Sequence, residues 1–213
     1  MRVRWIGLAL VLVLVGGATG YAVGRALLDE PATSSGARPL PAVSPSYPVN
    51  EYHLVPDPGV APLPTDLPLR PRRFAAAGER MTADVPRGWL RVALQGPDWN
   101  FTKRGNPGFT YKLRIGIDAG DRVSVAVARE SRINALEDAE ANGNIEHVVI
   151  EQRTDDGFTA TYIEDGHLRV AIERWLPQRG STEAFATVAV TGREVDRPGL
   201  ADLVERVAAS ARY

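Results

Sequence analysis

The chain has no cysteine. Disulfides, thiol catalysis, thiolate-bound zinc and anchoring through a lipidated cysteine are excluded with it. Lysine is nearly missing: of 25 basic residues only Lys103 and Lys112 are lysines. So large an arginine excess reads as the codon effect of a GC-rich genome, not as arginine-based recognition. Bulk charge is lacking too. A net charge of −1 gives no field to draw in nucleic acid. Histidine is scarce, with three copies. No H-x-H, H-E-x-x-H or G-x-S-x-G spacing occurs, and no glycine loop leads into a helix to cradle phosphate. A triad or metal reading would gather His147, His167 and Asp165 or Glu164 from adjacent hairpins, but no spacing supports it. The acidic pairs Asp155-Asp156 and Glu164-Asp165 fall at turns, where aspartate serves the local backbone. We therefore expect no catalytic residues, no cofactor and no metal.

What is present divides the 213 residues into three segments. Residues 1–28 read as a transmembrane anchor or signal-anchor. No charge falls between Trp5 and Gly24, and twenty helical residues span about 30 Å, the thickness of a bilayer core. Arg2 and Arg4 precede the run, which places the N-terminus in the cytoplasm and the rest outside. A cleaved signal peptide is the competing reading, and it too exports the chain. Gly16, Gly20 and Gly24 lie on one face of that helix, a spacing that lets two membrane helices approach. The partners this implies are membrane lipid along residues 5–24 and a second copy of the chain.

Residues 29–73 hold eleven of the sixteen prolines. Proline lacks the N–H that helices and sheets need, so this reads as a disordered Pro-rich linker. The cluster Arg70, Arg72, Arg73 ends it and reads as a solvated linker end.

Residues 74–213 read as an extracytoplasmic α+β domain. In "FTYKLRIGID", Phe109, Tyr111, Leu113, Ile115 and Ile117 alternate with polar or small residues, as in a strand with one buried face. "RVSVAVA" alternates likewise, with Val123, Val125 and Val127 on one side. "FTATYIEDGHLRVAIERW" is a hairpin turning at Asp165-Gly166. "IEHVVIEQR" joins the same array through the turn at 155–157, and "EAFATVAVT" adds a further strand. A helix is expected from Ser131 to Asn142-Gly143. A second covers "DRPGLADLVERVAASAR", with Leu200, Leu203, Val204, Val207, Ala208 and Ala211 as its apolar stripe. In "TADVPRGWLRV", Pro86 ends a strand, Gly88 turns the chain, and Trp89 is expected to plug a core edge.

"VPRGW", "WNFTKRGNPGFTYKLRIGI" and "TATYIEDGHLRVAIERW", followed by an aromatic-bearing strand and an amphipathic helix, carry a resemblance. Over about the last 140 residues the chain resembles actinobacterial exported domains of the PsbP-like α/β/α sandwich type. Such domains occur behind a transmembrane helix and proline-rich spacer, sometimes outside serine/threonine protein kinases; no kinase domain is present here. The resemblance implies a mainly antiparallel sheet sandwiched by helices, and binding or sensing without catalytic residues. Trp99, Phe101, Arg104 and Arg114 set aromatics beside cations and form the candidate partner-binding surface, for an envelope protein or a wall polymer. The expected function is a non-catalytic interaction or sensing module, anchored in the cell membrane by a single pass. A small exported envelope hydrolase and a structural subunit associating through its membrane helix are the alternatives.

Overall fold

Alternation of apolar and polar residues builds most of this protein, and a computed structural model describes residues 52–92, 98–107, 110–118 and 122–213. The apolar run 5–24, with Gly16, Gly20 and Gly24, lies outside them, as do linker segment 29–51 and Phe109. Among the described residues no helix is long and apolar enough to cross a membrane.

Among the described residues nine strands and two α-helices follow one another. They are β1 (Leu69–Ala76), β2 (Glu79–Pro86), β3 (Trp89–Val92), β4 (Trp99–Lys103), β5 (Lys112–Ile117), α1 (Val125–Ala141), β6 (Glu146–Arg153), β7 (Gly157–Glu164), β8 (His167–Pro177), β9 (Ala184–Gly192) and α2 (Arg197–Ser210). β1 and β2 form a separate hairpin. The other seven make one antiparallel sheet in the order β3-β4-β5-β9-β8-β7-β6. The architecture is α+β with a mainly antiparallel sheet.

The period of two assigns each side chain to a face. Leu113, Ile115, Val170, Val188 and Val190 share the first face, where Leu200, Leu203, Val204 and Val207 of α2 and Phe74, Met81 and Val85 of the hairpin bury them. Phe158, Ala160, Tyr162, Ala171 and Trp175 share the second face under Ile133 and Leu136 of α1. The helices thus lie on opposite faces.

The Asp165-Gly166 turn forms as expected, with positive φ at both residues. So does the corner at Gly88 (φ 78°), where the chain passes from hairpin to sheet and buries Trp89 against Tyr111, ring centroids 5.7 Å apart. Two expectations need correction. "RVSVAVA" is not a strand: α1 begins inside it. The Ser124 hydroxyl accepts from Val127 N and caps the helix, Val125 is buried, and Val123 and Val127 are exposed. Three valines at alternate positions carried strand propensity, and the cap overrode it.

The second correction concerns the linker. Its described end, 52–73, is held on the domain. β1 starts at Leu69 with Pro71 in it, tolerated because β1 pairs on one side only. Residues 52–68 run as a strap without regular structure. Leu63 of the strap enters the first-face core at 4% exposure. Arg193 donates to the carbonyls of Pro58 and Val60 at 3.0 Å and of Ala61 at 3.2 Å. Buried Asp196 takes Arg193 Nε at 2.7 Å and Leu63 N at 2.8 Å. Proline removes donors but leaves carbonyl acceptors, and a donor-only side chain satisfies them.

Candidate functional site

α1 covers only the β6–β8 half of the second face. The other half lies open, and its register can be written in rows. Thr102, Lys112, Thr191 and Ala171 face one another across β4, β5, β9 and β8; the next row is Asn100, Arg114, Ala189 and Glu173. Small residues on β9 make the floor low. Gly116 extends it, since a Cβ there would meet Asp98 Oδ1 at 2.6 Å. The result is a polar trough beside α1.

At its centre is Glu173, 3% exposed. An uncompensated carboxylate could not be buried there. Arg114 Nη2 donates to it at 2.9 Å and Arg132 Nε of α1 at 3.0 Å. Arg114 also lies 3.9 Å from Asp98. Tyr162 borders this cluster; burial, reinforced by the Glu164 carboxylate, pushes its phenol up to about 12. At the lower end Asp118 is raised from the ordinary carboxylate range, by desolvation first and by neighbouring Asp98 second.

At the upper end the trough deepens into a cleft of about 440 Å³. Pro58 of the strap, Val92, Lys112, Glu164, His167 and Thr191 are among its lining residues. Arg169 also lines it, and donates to Asp57 of the strap at 2.8 Å. His167 Nδ1 lies 3.3 Å from the same carboxylate oxygen, out of line for a hydrogen bond. The strap is thus one wall of the cleft.

The residues proposed from sequence do not form one surface. Trp99 and Phe101 face the first side and pack edge-on against Phe74, at 5.1 and 6.1 Å between centroids. Arg104 is exposed in the β4–β5 loop. Arg114 reaches the centre of the trough, because the register sets it opposite Asn100, and Phe101 touches only the rim of the upper cleft. His147, exposed and at positive φ, meets Tyr52 with the rings tilted by 40° and their centroids 4.7 Å apart. His53 is exposed on the strap. Among the described residues no three His, Asp or Glu side chains are grouped to hold a metal ion.

Sequence reasoning missed Lys112, Glu173, Arg132 and Arg169. A charged residue at the centre of an apolar strand, as Glu173 is in "RVAIERW", was the available signal. The Asn106-Pro107 motif acts locally. The Asn106 amide donates to Tyr111 O at 2.9 Å and to Thr102 Oγ1 at 3.2 Å, tying the loop to β4.

No family model matches the chain, and no curated protein matches it. Among solved structures it is similar to a point mutant of protein Mog1, with 9% identity over 67% of this chain and 95% of that chain, at a TM-score of 0.44. It is also similar to the Ran-binding protein Mog1p of Saccharomyces cerevisiae, with 11% identity over 68% of this chain and 96% of that chain, at a TM-score of 0.42.

Proposed function

We propose that this protein is a non-catalytic interaction or sensing module of the cell envelope. It is a domain of the PsbP-like sandwich type, anchored by a single membrane pass at residues 5–24, with the open trough of its sheet as the ligand-binding face. The observation that carries the reading is the trough itself. Four strands and a helix frame it, yet nothing of the described chain covers it. Its central carboxylate is bound to two arginines, so its oxygens are already engaged by the fold. That favours recognition over catalysis. The uncharged run and the arginines before it support the membrane pass.

The test uses the full chain in its own membranes, with a photo-crosslinking residue at Thr191 in the trough or at Arg72 on the exposed hairpin edge. A crosslink to one envelope component from position 191 only, lost in Lys112→Gln, is the expected result. Equal labelling from both positions, or none, would remove the trough as the binding face. Protease added to intact cells should cut the domain away; full protection would overturn the placement outside.

A further inference from the structure

Most charges in and around the trough are consumed by the fold. Glu173 is held by Arg114 and Arg132, and Asp57 by Arg169. Three residues that line the upper cleft stand apart: Lys112, Glu164 and, beside Glu164 at the turn and exposed, Asp165, which adds a second carboxylate at that end. Among the described residues, neither the Lys112 ammonium nor the Glu164 carboxylate has an opposite charge within bridging distance, although thirteen ion pairs are formed elsewhere. Both are half-buried. They lie at opposite ends: Lys112 faces Thr191, Thr191 faces Ala171, Ala171 faces Ala160, and Glu164 follows four residues along β7. Strand spacings of about 4.8 Å and a rise of about 3.4 Å per residue put their Cα atoms roughly 20 Å apart. Both side chains line the one cleft, which leaves a gap on the order of 10–20 Å between the charges.

From this segregation we infer that the cleft binds a short zwitterionic peptide, its free carboxylate at Lys112 and its free ammonium at Glu164. This rests on the trough being the ligand-binding face. An extended tripeptide spans about 10 Å between its termini, and a cleft of this volume is of small-molecule size. Thr191, on the strand between the charges, and Asn100, on the strand beside Lys112, offer a hydroxyl and an amide to the peptide backbone. Val92 and Pro58 supply apolar wall for small side chains. A simple anion would leave Glu164 repelling it, and a simple cation would meet Lys112. A ligand with one charge at each end satisfies both. The carboxylate of Asp57 against Arg169 on the same wall closes that cation to the ligand and leaves Lys112 to receive it.

The test is calorimetric titration of the full chain in detergent with trialanine, N-acetyl-trialanine and trialanine amide. Trialanine should bind, and blocking either end should weaken it about tenfold, the worth of one charge-assisted contact. Lys112→Gln should bind trialanine and its amide equally while still discriminating against the acetylated form. Glu164→Gln should show the reverse pattern. Melting curves of both variants report whether each has folded. Equal binding of all three peptides, or discrimination unchanged in both variants, would overturn the assignment. If no peptide binds while the Lys112-dependent crosslink from position 191 persists, the ligand class falls and the binding face stands.

Discussion

The two faces of the sheet are made of the same strands and treated differently. The first is sealed by α2, the β1–β2 hairpin and the strap around one apolar core, with Thr159, Thr161 and Arg174 at its β7–β8 side. The second is sealed over one half by α1 and left open over the other, where Lys112, Arg114, Glu173 and Arg169 replace valine and isoleucine. A closed face needs volume; an open one can carry charge, because water and paired side chains solvate it. Stability should therefore be concentrated on the first face and specificity on the second.

Arg193→Ala is the largest challenge to the first face. It would strand buried Asp196 and three strap carbonyls, and the loss should be about 3–5 kcal/mol in urea unfolding. A loss under about 1 kcal/mol would show that the strap is not part of the cooperative fold. Gly199→Ala comes next. Its Cβ would lie 2.2 Å from the Leu63 carbonyl oxygen, so the strap must lift, at about 1–3 kcal/mol. Limited proteolysis within 52–62 should become faster in that variant.

At the border of the trough, Tyr162 makes a smaller, pH-dependent contribution. Its folded pKa, about 12, exceeds the ordinary value of about 10. The stabilisation from burying the neutral phenol is therefore complete below about pH 10 and is lost as pH rises toward about 12. Unfolding of Tyr162→Phe between those limits should show a shallower fall than the native chain; identical slopes would place the phenol in water. Smallest of all is Lys112→Ala, which should change stability by no more than about 0.5 kcal/mol. A larger loss would make Lys112 part of the scaffold instead of a free contact group.

The sequence made the strands legible where one face was apolar and the other polar. Leu113, Ile115 and Ile117 of β5 are buried as their spacing predicts, and the α2 stripe is buried at Leu200, Leu203, Val204 and Val207. It did not reveal the start of α1, where valines suited to a strand are recruited by a serine cap. Nor did it reveal which residues of different strands become neighbours. Trp99 and Arg114 looked like one surface because both lie near the same loop, but antiparallel register sends them to opposite faces.

By itself, then, the sequence determined the local elements and excluded cysteine chemistry, since periodicity and composition are properties of short stretches. It also marked 5–24 as apolar and 29–73 as proline-rich. Only the tertiary structure decided that residues 52–68 belong to the domain. Their carbonyls find donors on Arg193, more than 130 residues away, and Leu63 finds its cavity beside Gly199. The trough was decided at the same level. Glu173 is a lone charge in its own strand and becomes a site only when β5 and α1 bring Arg114 and Arg132 to either side of it. Long-range pairing of charges depends on register and packing, which no short stretch of sequence encodes.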